Sequence, residues 1–230
     1  MSDKFLRQQA LSTIQAFLDD EIIQFQDLER FRVVDIDICE PEYMRCEMER
    51  WYINLGIEQL TKQPFSLSLP YFTKDEIKNA QDKGDIILCV PKGVGRADLG
   101  RLFHMDSWAF TNGFVSVTTE QEDFWFQTEK SLTPGYMDKT AVELKKIFDQ
   151  ERKLGMSLER YMVFLARMRT VYKQIPDQQY KTWLLNGKYE NKAQLIAGFD
   201  AELELSVHAW MRNFHSPMVG ARSITIPDHH

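Results

Sequence analysis

The clearest pattern in the chain is a strict alternation of apolar and polar residues from Ala201 to Arg212. A period of two predicts a β-strand whose successive side chains point to opposite faces of a sheet. The apolar face, expected to meet the core, comprises Leu203, Leu205, Val207, Ala209 and Met211. The polar face comprises Glu202, Glu204, Ser206, His208, Trp210 and Arg212. This second face is interpreted as solvated sheet surface, as the floor of a binding site, or as a second packing layer beneath a helix that buries Trp210.

Helical spacing of apolar residues predicts helices at residues 4–18, 42–61, 139–153 and 157–174. The last of these carries one apolar stripe, which indicates that it packs firmly against a neighbour. Thr73 and Glu76 have the spacing of a capping box, in which a hydroxyl and a carboxylate satisfy amide groups at a helix start. They predict a further short helix that ends at Gly84.

Runs of β-branched and aromatic residues predict strands at residues 32–39, 85–90 and 222–226, and a hairpin formed by residues 114–119 and 124–128. Together with the helices, these strands predict an α+β fold with a mixed or antiparallel sheet packed against several helices. We expect a single domain over residues 1–230. Its α-rich N-terminal part would cover about 1–84, and its α+β body about 85–226.

Composition excludes some classes of protein. The 230 residues include 28 Lys and Arg against 34 Asp and Glu, a net charge of -6 that argues against a nucleic-acid partner. Aromatic residues make up 12% of the chain, which is too many for a disordered protein. An apolar run long enough for a signal peptide or a membrane span is not present, so no membrane partner is expected. The three cysteines suit reduced thiols, and we expect a cytoplasmic protein.

A glycine-rich segment from Gly95 to Leu102 resembles a phosphate-binding loop in spacing. The mechanism of that loop needs a lysine and a hydroxyl where this chain has Arg101 and Leu102. We therefore predict no nucleotide binding and no cofactor, and interpret the segment as a tight connecting loop. A small-anion site formed by Lys92, Arg96 and Arg101 is the alternative.

Metal-binding and catalytic patterns are incomplete. Asp35 and Asp37 share one strand face, but a divalent cation needs about six oxygen ligands, so a solvated face is expected. Cys39 and Cys46 have no histidine at zinc spacing, so no metal site is predicted.

Two histidines are candidates for catalysis. His208 shares a strand face with Ser206, but residues two apart on a strand are some 6 to 7 Å apart, which predicts no direct nucleophile–base pair. His215 follows the strand in a turn, where functional residues concentrate. Catalytic use of His208 or His215 is the alternative to a structural or surface role.

Five segments, in this order, resemble a family of uncharacterised bacterial proteins over residues 85–226. They are Ile86-Ile-Leu-Cys-Val-Pro-Lys92, Leu132-Thr-Pro-Gly-Tyr-Met-Asp-Lys-Thr-Ala-Val-Glu-Leu144, Gly155-Met-Ser-Leu-Glu159, Trp183-Leu-Leu-Asn-Gly-Lys-Tyr189 and His215-Ser-Pro-Met-Val-Gly-Ala221. The resemblance implies a bacterial cytoplasmic protein and carries no chemistry.

The leading functional expectation is a non-catalytic module that binds a protein or a small molecule. Its predicted binding residues are Trp210, His208, Glu204 and Arg212. One alternative is a small hydrolase or transferase with a site near residues 202–222. A further alternative is an anion or nucleotide binder at residues 92–101. Oligomeric state is left open.

Overall fold

The computed structural model describes residues 37–116, 120–190 and 192–227. The helices are α1 (Pro41–Asn54), α2 (Ile57–Thr61), α3 (Lys74–Asp82), α4 (Arg96–Phe103), α5 (Ala141–Glu151) and α6 (Leu158–Thr170), with a short 3-10 turn at Trp108–Phe110. The strands are β1 (Asp85–Val90), β2 (Phe124–Glu129), β3 (Leu154–Gly155), β4 (Lys181–Tyr189), β5 (Ala193–Phe199), β6 (Leu205–Met211), β7 (Val219–Ala221) and β8 (Ser223–Thr225). The predicted α+β class is confirmed. The predicted helix at 4–18 and most of the predicted strand at 32–39 lie outside the described residues.

The strands form two four-stranded sheets. Sheet A has the order β1-β2-β8-β3 and is antiparallel throughout. Sheet B has the order β6-β5-β4-β7 and is antiparallel except for the parallel pair of β4 and β7. In sheet B, β6 is an edge strand and β5 is central, so β5 is paired along both of its sides.

Helix α6 lies at the centre of the main core. Every residue from Leu158 to Met168 is buried, and the helix contacts α4, β1 of sheet A and β4 of sheet B. The sequence predicted one apolar stripe; the helix is instead enclosed on all sides. Its charged residues are tolerated there because they are paired, Arg160 with Glu120 at 2.8 Å and Arg167 with Glu47.

A buried ionic cluster joins α6 to both sheets. Asp177 is fully buried, and its two carboxylate oxygens accept hydrogen bonds from Arg222 at 2.6 and 3.1 Å. The hydroxyls of Tyr161 on α6 and Thr182 on β4 each donate to the same carboxylate at 2.7 Å. Arg222 is the single residue between β7 of sheet B and β8 of sheet A, and it also donates to Ser131. We call these five residues the Asp177 cluster.

Local signals account for the helix boundaries. The capping box predicted at Thr73 and Glu76 is confirmed, with the Glu76 carboxylate accepting from the Thr73 amide at 2.8 Å. The predicted continuous helix at 42–61 is wrong in one respect, because the chain breaks at Gly56 between α1 and α2. Gly56 has a φ of +92°, a left-handed conformation that favours glycine.

The glycine-rich segment is helix α4, so its interpretation as a connecting loop was wrong. Gly95 precedes the first turn, and Gly100 lies inside the helix. A Cβ atom at Gly100 would lie 2.6 Å from the ring of Phe110. Close packing against that ring therefore accounts for the glycine at position 100. A turn in the backbone does not account for it, because the residue is helical.

The hairpin predicted at 114–128 was also wrong. Its second strand exists as β2, but β2 pairs with β1 and β8. Within the described part of the first run, Val115 makes only an isolated bridge to Tyr189. Strands β4 and β5 were not predicted. The strand predicted at 202–212 is the shorter β6, and Leu203 lies in the preceding turn, exposed and with a φ of +61°.

Replacing Arg222 by methionine is expected to lower the free energy of unfolding by about 3–5 kcal/mol, because Asp177 would be left buried without its cation. Urea unfolding followed by circular dichroism measures this loss. The control is Lys145→Met, which removes an exposed pair with Asp149 and should change stability by less than about 0.5 kcal/mol. A loss below about 1 kcal/mol for Arg222→Met would contradict the assigned role of the cluster.

Leu205 and Met211 lie on the same predicted face of β6, yet they are 6% and 72% exposed. Leu205→Ala is therefore expected to cost about 2–5 kcal/mol of stability, the range for deleting a buried leucine. Met211→Ala should stay within about 0.5 kcal/mol, as at other exposed positions. Thermal or urea unfolding compares the two, and equal losses would show that this face of β6 is not placed as described.

Candidate functional site

The predicted polar face of β6 is partly covered by helix α5. Trp183 and Ile196 of sheet B pack with Leu144 and Phe148 of α5 in a second, smaller core, and Trp210 packs at its margin. The ring of Phe214 lies edge-on to Trp210, with centroids 4.2 Å apart. Trp210 is thus half-buried in a second packing layer, which was one of the three interpretations of this face.

Two of the other predicted binding residues, Glu204 and Arg212, lie outside β6 and do not continue the face that carries Trp210. Glu204 precedes β6 in a turn, where its amide donates to the Asp200 carboxylate at 2.8 Å. Arg212 follows β6, and its carbonyl accepts from the amide of Val142 at 3.4 Å. Of the predicted polar face, β6 itself retains Ser206, His208 and Trp210.

Ser206 and His208 are in direct contact, contrary to the prediction. The Ser206 Oγ and His208 Nε2 atoms are 2.8 Å apart. The prediction used the backbone spacing of the strand, but side chains lean along a strand, and a long imidazole can reach its neighbour. Burial lowers the pKa of His208 below its usual 6.5, and the charge of Lys181 lowers it further. The imidazole is therefore neutral at pH 7.

His215 lies in the irregular loop that follows β6, whereas the sequence predicted a turn there. Its Nδ1 atom is 3.0 Å from the carboxylate of Asp138. Both side chains are more than half exposed, at 63% and 55%. The pair has a base and a carboxylate but lies open to solvent, so it lacks the enclosure that a catalytic pair uses.

The predicted anion-binding residues have other partners. Arg96 is buried and donates to the carbonyl oxygens of Phe110, Asn112, Val115 and Ser116 at 2.8–3.1 Å. Arg96 therefore anchors a loop, which corrects its predicted role.

The remaining members of the anion and metal predictions are also placed by the structure. Arg101 forms a surface pair with Asp98 at 2.5 Å, and the amide of Lys92 donates to Asp123. Asp35 lies outside the described residues. Among those described, no group of three or more metal-ligating side chains occurs.

The three cysteines form no disulfide with one another. Cys39 is buried, with its thiol 3.4 Å from the amide oxygen of Gln81. Burial raises the pKa of the half-buried Cys46 thiol and disfavours the reactive thiolate. Burial of Cys39 and the raised pKa of Cys46 indicate structural thiols at both positions.

A cluster of exposed aromatic side chains was not predicted. Trp108 and Phe114 are 45% and 62% exposed, and both rings contact Tyr189 edge-on with centroids 5.9 and 6.1 Å apart. Tyr189 pairs with Ala193, which pairs with the exposed Met211, so both side chains lie on one face of sheet B. We call Trp108, Phe114, Tyr189 and Met211 the aromatic surface.

Several hydrogen bonds fix the backbone under this surface. The Trp108 indole donates to the carbonyl of Val207 on β6 at 2.7 Å. The amide of Phe114 donates to the side chain of Asn112, and its carbonyl accepts from the amide of Glu190, both at 2.9 Å. The buried Arg96 side chain also donates to four carbonyl groups of the loop at residues 110–116. The backbone that positions these exposed rings is therefore held by hydrogen bonds.

A cleft with a volume of about 510 Å³ lies elsewhere, at one end of sheet A. Its walls are polar and carry charges of both signs, from Lys83, Lys130, Lys153, Asp85 and Glu129. Neither His208 nor His215 lines it, and no part of the aromatic surface does. The cleft therefore adds no enclosure to the candidate residues on sheet B.

Comparisons of the chain with protein-family models, with curated proteins and with solved structures gave no match. The resemblance to a family of uncharacterised bacterial proteins therefore stays a prediction. Across the described residues, we find no helix that combines the length and the apolar character needed to cross a membrane.

The pKa of His208 is expected to rise towards 6.5 in Lys181→Met, because a positive charge beside the imidazole is removed. A pH titration followed by NMR of the histidine ring protons measures this shift. Lys192→Met removes a charge from a side chain that is 83% exposed and serves as the matched control. Equal titration curves of His208 in the wild-type protein and in Lys181→Met would contradict an effect of the Lys181 charge on this imidazole.

Proposed function

We propose that the protein is a non-catalytic interaction module and that the aromatic surface binds an extended peptide segment of a partner protein. The observation that carries this proposal is the exposure of Trp108, Phe114 and Met211 on a backbone held by hydrogen bonds. Aromatic residues and methionine are enriched in protein interfaces, where a few of them supply most of the binding energy. The resemblance to bacterial proteins supports a cytoplasmic setting for such a module.

Order in the free surface favours binding. A ring that is already fixed loses little conformational entropy when a partner covers it. Trp108 is tied to β6 through its indole. The backbone of Phe114 is held through its amide and its carbonyl, and its ring lies against Tyr189. Each ring therefore presents apolar area at a low entropic cost.

The neighbouring strand supports an extended partner. β6 is an edge strand of sheet B, and Trp108 is bonded to its Val207 carbonyl. Edge strands offer backbone groups with which an added strand can pair. A peptide that places apolar side chains on the aromatic surface would thus pair with backbone groups of β6 other than the Val207 carbonyl, which the Trp108 indole already occupies.

Selection from a displayed library of short random peptides tests the proposal. We expect enrichment of peptides with aromatic or branched apolar residues. Phe114→Ala should weaken the binding of a selected peptide at least tenfold, or about 1.4 kcal/mol, because it removes an exposed anchor. Isothermal titration calorimetry with a synthetic peptide measures the change.

Leu132→Ala is the matched control, because Leu132 is 49% exposed and lies apart from the aromatic surface. It should bind the peptide as the wild type does. Both variants alter exposed side chains, so their unfolding temperatures should match that of the wild type. Failure to enrich any peptide, or equal binding by Phe114→Ala and the wild type, would refute the proposal.

A further inference from the structure

The outer edge of β6 presents a defined set of backbone groups. In an antiparallel pair, a residue directs its N–H and C=O either both towards the neighbouring strand or both away from it, and the two kinds alternate. The Val207 carbonyl accepts from the Trp108 indole at 2.7 Å. The Met211 carbonyl accepts from the Phe214 amide at 3.0 Å. Both carbonyls therefore point away from β5, and Ala209, midway between them, has the same orientation.

The pairing inside sheet B agrees with this orientation. Phe199 is the β5 residue opposite Leu205, yet its amide donates to the Asp177 carbonyl at 3.4 Å. Phe199 and Leu205 are therefore a pair without mutual hydrogen bonds, so Leu205 directs its backbone outward. By alternation, His208 directs its N–H and C=O inward, at Ile196 of β5.

Ala209 is the point at which a strand can add. Within residues 37–116, 120–190 and 192–227, no hydrogen bond to the outward amide or carbonyl of Ala209 is found. The carbonyls of Val207 and Met211 are occupied, but their amides share the outward direction. An antiparallel strand centred on Ala209 would exchange both hydrogen bonds with that residue and accept one from each flanking amide.

The face on which these side chains lie determines the sequence of the partner. Met211 shares a cross-strand row with Ala193 and Tyr189, on the face of sheet B that packs on the main core, and Ala209 lies on the same face. Residues of an added strand opposite Ala209 and Met211 would place their side chains on this face, beside the aromatic surface. The partner therefore needs apolar side chains two residues apart.

A second copy of the chain fits this edge less well. In a symmetric pair of β6 strands centred on Ala209, each Val207 would lie opposite the Met211 of the other copy. Their amides would then meet carbonyls that the Trp108 indole and the Phe214 amide already occupy. A peptide whose carbonyls are unoccupied meets no such conflict, which favours a different protein as the partner.

We propose that the partner segment adds to β6 as an antiparallel strand centred on Ala209, with apolar side chains at alternate positions against the aromatic surface. This inference rests on the proposed peptide binding, to which it adds the pairing residue and the sequence pattern of the partner. In such complexes the backbone hydrogen bonds supply affinity, and the alternate side chains supply specificity.

Hydrogen exchange measured by NMR on the isotope-labelled protein tests the pairing, with a synthetic peptide from the library selection as the probe. Exchange of the Ala209 amide should slow at least tenfold in the complex, because the amide gains a hydrogen bond. The His208 amide is the internal control. It is bonded to β5 with or without the peptide, so its exchange should be slow in both states.

A pair of proline variants tests the same edge without the exchange measurement. Ala209→Pro removes an outward N–H, a change that edge strands tolerate, and should weaken peptide binding at least tenfold in calorimetry. His208→Pro removes an N–H that bonds to β5, so it should unfold at a lower temperature than Ala209→Pro.

The outcomes separate this inference from the proposed peptide binding. Unchanged exchange at Ala209, in a complex that Phe114→Ala still weakens, would overturn the strand addition and leave the peptide binding standing. Selected peptides without alternating apolar residues would overturn it too. A peptide-free dimer with a protected Ala209 amide, detected by light scattering and NMR, would show that a second copy occupies the edge. Failure to enrich any peptide would refute both proposals.

Discussion

The ion pair between Asp177 and Arg222 is the interaction on which the rest of the described structure depends. Two charges removed from water stabilise a fold only when their mutual geometry is good and their other polar atoms are satisfied. Asp177 meets this condition through Tyr161 and Thr182, and Arg222 through Ser131 and the ring face of Phe164 at 4.5 Å. Because Arg222 lies where the chain passes from sheet B to sheet A, the pair also specifies how the two sheets are joined.

The packing of sheet B explains where candidate functional groups can lie. One face packs on the main core and the other on helix α5, so most side chains of the central strand β5 are buried. Ala193 is the exception, because it is only partly buried. It lies between Tyr189 and Met211 on the core face. Met211 reaches solvent there and contributes to the aromatic surface.

Elements that depend on neighbouring residues could be predicted from the sequence. Features that depend on contacts between residues distant in sequence could not. Capping at Thr73, the apolar run of β1 and the periodicity of α6 are properties of neighbouring residues, and the elements that they predict are present. β5 was missed because a strand packed on both faces does not alternate. The aromatic surface was missed because Trp108 and Tyr189 are far apart in sequence and meet only in the fold. The loop that carries Phe114 is likewise held by a residue distant in sequence, Arg96.

The groups that stabilise the fold are separate from those proposed to act. The exposed ring of Phe114 contributes little to the free energy of unfolding. The Asp177 cluster, by contrast, is buried and bonded on every described side. A substitution at Phe114 therefore changes the contact area of a surface without removing what joins the sheets, so a loss of peptide binding reports on that surface.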